Sequence, residues 1–348
     1  MVALSILPRR LALAGGTGLF MDFLEKKYER RGASKGTWHI VTMANGGAVK
    51  LIVYQVDSFT TTLFEGNPAG VVLNADGLSE WQMQQLAREM NKSETAFIIN
   101  KGGDDYDIEV RFFTPTREVP ICGHATIAAH FVYALEKGID CGIIIQKTKA
   151  GVLPVEIVND GAGKRVVMTQ AKIEYGAIIA GRQRERLLRG LNIGSADIVD
   201  DLPIQIVSTG HSKVMIPVRG KRLLDSMAID SGLLCELSNE IGCNGYYVFT
   251  FDSQEKNILI SGRMFAPAIG VDEDPVTGNA NGPLGAYLTH YGKIEKSKTG
   301  YTFEIKQGEA MKRKGYMKVH VFSNDQDAEL VKISGNACIA FKTEIDIC

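Results

Sequence analysis

From Leu51 onward the apolar positions fall into short runs that switch between two periods. LIVYQVDSF (51–59) alternates and is β-branched, which predicts a strand. GNPAG (66–70) reads as a turn and VVLN (71–74) as a short strand. Ser79 is placed to cap a helix through SEWQMQQLAREMN, with Trp81, Met83, Leu86 and Met90 forming its apolar face. TAFIIN and DIEVRFFTP are predicted strands, and Gly123 opens a helix that Gly138 closes. GIIIQKTKAG, VLPVEIVN and RVVMTQA return to the strand pattern. RQRERLLRGL and SGLLCELSNEI read as helices around the strand pair PIQIVSTGHSKVMIPV. YYVFTF and ILISGRMFAP are strands, and a helix runs from Gly278 to about His290, closed by Gly292. Four further strands, from YTFEIKQG to CIAFKTEI, finish the chain.

The pattern predicts an α+β fold in which one central helix among strands occurs twice. Arg111-x-Phe113-x-Pro115, a loop, then Gly123-His124-Ala125 and a helix form one unit. Arg263-x-Phe265-x-Pro267, a loop, then Gly278-Asn279-Ala280 and a helix form the other. A cleft between two such units is the default place for a site.

Composition narrows the function classes. With 39 basic and 40 acidic side chains, the chain shows no basic stripe for nucleic acid. The clusters Lys26, Lys27, Arg30, Arg31 and Lys312, Arg313, Lys314 read as solvated surface. Six scattered cysteines without a C-x-x-C suggest reduced thiols in a cytoplasmic protein, and no apolar run is long enough to span a bilayer. LALAGGTGLF (11–20) follows two arginines but leads at once to KKYERR, which argues against an export signal; its GGTG is a weak phosphate-loop pattern. Met43 opens a stretch that reads as a natural start. Residues 1–50 are therefore expected to be an extension or leader, poorly ordered.

The two loop-to-helix junctions concentrate the chemistry. Each helix start offers unpaired N–H groups and a positive dipole end, so two of them facing one cleft would receive a carboxylate or a developing enolate. Gly123, Ala125, Gly278, Ala280 and Gly282 are small enough for close approach of a ligand. Glu94, in NKSETAF between a helix and an apolar strand, fits either a desolvated general acid/base or a helix-end charge. His124 follows Gly123, where a neutral, hydrogen-bonding imidazole is favoured; a packed or capping histidine fits equally well. Asp274, before Pro275, could orient a substrate amine or hydroxyl or stabilise the helix end. Asp272 and Glu273 are expected to face solvent. The other histidines, His39, His130, His211, His290 and His320, read as packing or surface residues. Cys122 stands at the first helix mouth, but the equivalent second position is Thr277, which argues against a paired-thiol racemase. Motifs for NAD, nucleotide or zinc are missing.

Together, VDSFTTTLFEGNPAGVV, NKSETAFI, RFFTPTREVPICGHATIAA, FAPAIGVDEDPVTGNA and QGEAMKRKGYMKV resemble the PhzF-like isomerase family, over roughly residues 51–345. The resemblance implies a diaminopimelate-epimerase-like fold: two pseudo-symmetric domains, each a curved, mostly antiparallel sheet or barrel around a central helix. The expected division is 51–170, completed by a C-terminal strand at about 336–348, and 171–335. It implies a proton shift on a small anionic metabolite without metal or organic cofactor, in a homodimer. Glu94 maps to the family's acid/base, with His124 and Asp274 as further catalytic residues; Gly123, Gly278, Asn279, Cys122 and Thr277 would line the substrate. Asn279 departs from the serine frequent in the phenazine enzymes, which bears on the substrate more than on the reaction class. An amino-acid epimerase, or a non-catalytic binding protein on the same fold, is the alternative.

Overall fold

A computed structural model describes residues 49–159, 161 and 163–347. The expectations for the first 48 residues, including GGTG and His39, and for Cys348 lie outside these described residues.

The first half runs β1 (Val49–Ser58), β2 (Asn67–Val72), α1 (Glu80–Met90), β3 (Thr95–Ile99), β4 (Ile108–Phe113), β5 (Glu118–Val119), α2 (Gly123–Glu136), β6 (Gly142–Thr148), β7 (Gly151–Asn159) and β8 (Lys164–Thr169). The second runs β9 (Glu174–Ile178), α3 (Gly181–Gly190), β10 (Gln205–Ser208), β11 (Ser212–Pro217), α4 (Lys221–Ser226), α5 (Ser231–Ile241), β12 (Tyr246–Thr250), β13 (Ile260–Ala266), β14 (Val271–Asp274), α6 (Gly278–His290), β15 (Tyr301–Gln307), β16 (Gly315–Ser323) and β17 (Ala328–Gly335). β18 (Ala337–Ile347) follows.

Strand pairing repeats between the halves. β2 pairs parallel with β3, β3 antiparallel with β4, β4 antiparallel with β5, and β4 parallel with β6. β11, β12, β13, β14 and β15 repeat this order of directions. β17 pairs with β8, so the sheet passes from one half to the other. β18 pairs antiparallel with β1, from Ala337 opposite Ser58 to Ile347 opposite Val49. The result is α+β with a mostly antiparallel sheet.

Each half packs a helix inside its strands. α2 lies against β1, β2, β3, β7, β8 and β18, and α6 against β10, β11, β16 and β17. Both helices are apolar nearly all round, as buried helices must be. Small residues set how closely strands approach. A Cβ on Gly285 would sit 2.7 Å from Val319 Cγ1. One on Gly282 would sit 2.7 Å from Gln170 Oε1 and 2.9 Å from Thr209 Oγ1. Gly282 thus makes room for packed protein atoms, not for a ligand as its small size suggested.

α1 has the expected cap: Gln82 N–H donates to Ser79 Oγ at 3.3 Å, and Ser79 N–H to Gln82 Oε1 at 2.9 Å. Its buried face is Met83 and Ala87, whereas Trp81 is 70% exposed and does not belong to the apolar face. Asn91 closes α1 in the left-handed region (φ 47°), and only three residues then separate it from β3. That short link fixes Glu94 at the mouth of β3, where Gly70 N–H donates to Glu94 O at 3.1 Å.

Candidate active site

The starts of α2 and α6 meet. A Cβ on Gly123 would lie 3.9 Å from Gly278 Cα. Cys122 and Thr277 precede these glycines in extended backbone, and neither side chain caps its helix. The positive ends of the two helix dipoles therefore come together without a capping side chain from either N-cap residue.

On the α2 side, Glu94 Oε2 lies 3.3 Å from His124 Nε2, which is also 3.2 Å from Ser93 Oγ. Cys122 Sγ is 3.4 Å from His124 Nδ1. The imidazole is 8% exposed and the Glu94 side chain 20%, so the pair is screened yet reachable. Ser58 Oγ donates to His124 O at 2.8 Å and pins this turn to β1. Burial, then the nearby Glu94 carboxylate, push the Cys122 thiol well above its ordinary range. Glu94, Cys122 and His124 place one donor atom each within 4.8 Å of one another.

The α6 side is an amide-rich network. Asp274 Oδ1 accepts from Asn67 Nδ2 at 2.8 Å, and Oδ2 accepts from Thr277 Oγ1 at 2.5 Å. Gln307 Nε2 donates to Asp274 O (2.9 Å) and Thr277 Oγ1 (3.1 Å), while its Oε1 accepts from Thr277 N–H. Asn281 joins Gln307 to Tyr247, whose hydroxyl donates to Asn281 Oδ1 at 2.6 Å. Burial raises the Asp274 carboxyl above its ordinary range; His124, Thr277 and Asn67 oppose that shift, and Glu94 adds to it. Asp274 is thereby within electrostatic reach of the Glu94–His124 pair. Asn279 is partly exposed, one residue into α6. Thus Glu94, Cys122 and His124 gather on one side, Asp274 and Thr277 on the other, and Gly123 and Gly278 where the sides touch.

Two features escaped the sequence reading. Arg111 holds Glu118 through two bonds (2.8 and 2.6 Å), and Arg263 holds Glu273 likewise (2.9 and 2.7 Å). Glu273 is therefore not a solvent-facing charge: its side chain is 15% exposed and clamped. The signal was available, because each glutamate stands five residues before its helix glycine in an E-x-P frame, Glu118-Val119-Pro120 and Glu273-Asp274-Pro275. Burial would raise Glu118, but its bonds to Arg111 and Lys149 outweigh this and hold it below the ordinary range. Arg313 is likewise no surface charge. Its guanidinium meets the fully buried Asp57 at 2.7 Å and also donates to Gly66 O and Glu65 O. It ties the 59–66 loop beside Asn67. Asn67 and Gln307 had no local mark, since amides in turns are common.

Comparison with known proteins agrees with the architecture. The phenazine biosynthesis-like protein family (PhzC-PhzF) matches residues 56–343. An uncharacterized isomerase of Clostridium acetobutylicum is 52% identical over 85% of this chain and 98% of its own length. The trans-2,3-dihydro-3-hydroxyanthranilate isomerase of Pseudomonas chlororaphis is 32% identical over 81% of this chain and 94% of its own. Among solved structures, the PhzF-family phenazine biosynthesis protein of Bacillus anthracis superposes with a TM-score of 0.77 at 29% identity, covering 86% of this chain and 100% of that one.

Proposed function

The chain belongs to the phenazine biosynthesis-like (PhzC-PhzF) family as a PhzF-family isomerase, and we propose that it shifts a proton between two carbons of a small carboxylic acid with Glu94 as the general acid/base. The observation that carries this is the 3.3 Å contact of Glu94 with His124 at the start of α2, where the start of α6 also arrives. Anionic oxygen of the substrate rests on the N–H groups around Gly123 and Gly278. Glu94 takes the proton from one carbon and returns it to another, moving the double bond. His124 hydrogen-bonds Glu94 and substrate. Asp274, whose raised carboxyl sits between Asn67 and Thr277, orients a hydroxyl or amine. The negative charge that develops is met by donors already in place, so little reorganisation is needed at the moment of transfer.

In this reading the reaction uses no metal or organic cofactor, and the chain acts as a cytoplasmic homodimer whose two helix-centred halves, 51–170 with 336–348 and 171–335, form two lobes. The family resemblance supports these points. Asn279, in the place where phenazine enzymes often carry serine, favours a substrate other than the phenazine precursor.

The test is proton NMR in deuterated buffer with a library of small acids, dihydro-hydroxyanthranilate included. Deuterium uptake or rearrangement is expected for one acid and is lost in Glu94→Gln. Full turnover by Glu94→Gln would rule the mechanism out.

A further inference from the structure

Three lysines of the second half are buried. Lys221 is 4% exposed and pairs with Asp225 and with Glu309 at 2.9 Å. Lys306 is 3% exposed and pairs with Glu255 at 2.6 Å and Glu309 at 2.9 Å. Lys213, in β11, is 9% exposed, and its Nζ donates to the Ser212 carbonyl at 3.1 Å. Among the described residues, no carboxylate lies within ion-pair distance of it. A buried ammonium without an anion is unfavourable, which is why such groups are found paired.

The side chain of Lys213 has a defined course. Gly245 leaves space for it: a Cβ there would lie 2.3 Å from Lys213 Cδ and 2.5 Å from Met264 Cε. Met264 stands opposite Asp274 in the β13–β14 register. Lys213 thus crosses bare backbone toward the strand pair that ends in Asp274. Asp274 is felt by Lys213 on one side and by Glu94 and His124 on the other. Burial still lowers the ammonium to about 8; Cys243 and Asp274 oppose that shift without cancelling it. The His211 imidazole, in the turn just before β11, also senses the Lys213 charge.

We propose that Lys213 is a second anion receiver of this site, and that the substrate is a dicarboxylic acid: one carboxylate rests on the helix starts near Gly123 and Gly278, the other on Lys213, with Asp274 between them. This rests on the proposed placement of substrate at the helix starts. It narrows the substrate from any small acid to one with two anionic ends. Glu94 then works on the carbons that join them.

The test is calorimetric binding to the full chain of succinate and glutarate, each against its half-amide, which keeps the size and removes one charge. At pH 7 the diacid is expected to bind the wild type at least tenfold more tightly than the half-amide. Lys213→Met should reduce that ratio to within threefold, and Lys213→Arg should retain most of it. At pH 9, titrations in two buffers of different ionisation enthalpy should show proton uptake on diacid binding, lost in Lys213→Met. Asp274, Cys243 and His211 face the same ammonium, so uptake persisting in Lys213→Met would assign the proton to one of them and overturn the proposal. A wild type without the tenfold preference, or a folded Lys213→Met that keeps it, would overturn it as well. The two readings separate cleanly. Glu94-dependent exchange without the diacid preference sinks the Lys213 assignment alone; the preference without such exchange sinks the proton-transfer mechanism alone.

Discussion

The two helix starts share a frame and differ in chemistry. Each follows a strand with Arg-x-Phe, an arginine that clamps a glutamate, and an E-x-P turn. The arginines also lie over their phenylalanines, 5.2 Å for Arg111 on Phe113 and 4.8 Å for Arg263 on Phe265. On this common base the α2 start carries a thiol, an imidazole and the Glu94 carboxylate. The α6 start carries a hydroxyl, a carboxyl and three amides. Three titratable side chains meet on the α2 side, whereas on the α6 side the one titratable group, Asp274, is held among hydroxyl and amide donors. The scaffold occurs twice, and under the proposed mechanism one start would move the proton while the other orients the substrate.

The comparison breaks most severely at Glu94. Glu94→Gln should lower turnover about 100- to 10,000-fold, roughly 3–5 kcal/mol of barrier. No substitution on the amide side should match it, which steady-state rates of the two variant sets will show.

The helices themselves differ seven residues in. α2 has His130 there, fully buried and held near 4 by desolvation, and α6 has Gly285. The unfolded chain binds the His130 proton from about pH 6.5 downward, whereas the folded chain resists it until about 4. Stability is therefore fully present above pH 6.5 and lost as pH falls toward 4. The loss is on the order of 3 kcal/mol from this residue. Urea unfolding at pH 7 and pH 4.5 should show that slope in the wild type and a shallower one in His130→Gln.

The two clamps come next. Arg263 also donates to the buried carbonyls of Leu224 and Met227, at 2.9 and 2.8 Å. Arg263→Met should cost about 3 kcal/mol, because it strands a screened carboxylate and two carbonyls. Arg111→Met should cost about 1 kcal/mol, since Lys149 still reaches Glu118. Denaturation midpoints measure both; equal losses would argue against the ranking.

The smallest effect tests the orienting role. Thr277→Val removes the hydroxyl that donates to Asp274 and should lower kcat/KM about tenfold, one hydrogen bond to a charged group. Thr277→Ser should stay near wild type.

Local signals explain what the sequence disclosed. Ser79 with Gln82, the glycines opening α2 and α6, and the strand alternations depend on residues within a turn of each other, so they could be read directly. Glu94, His124 and Asp274 came from motifs, and their mutual approach needed the fold. Lys213 and Arg313 have ordinary neighbours in sequence; only strands distant in the chain reveal one as unpaired and the other as the partner of Asp57. Trp81 was misplaced because helical periodicity gives a face, not its edge. Gly282 was misread because a small residue admits a packed side chain as readily as a ligand.

The pairing of β18 with β1 has a consequence for synthesis. Val49 finds its partner at Ile347, nearly the full length of the described chain away. At about 5–20 residues per second a ribosome needs tens of seconds to cover that distance. Throughout that time an apolar strand edge waits unfilled, open to association with other nascent chains. β18 thus seals β1 only after the whole second half has been made, so the half bearing Glu94 and His124 is completed by a strand that emerges far behind it.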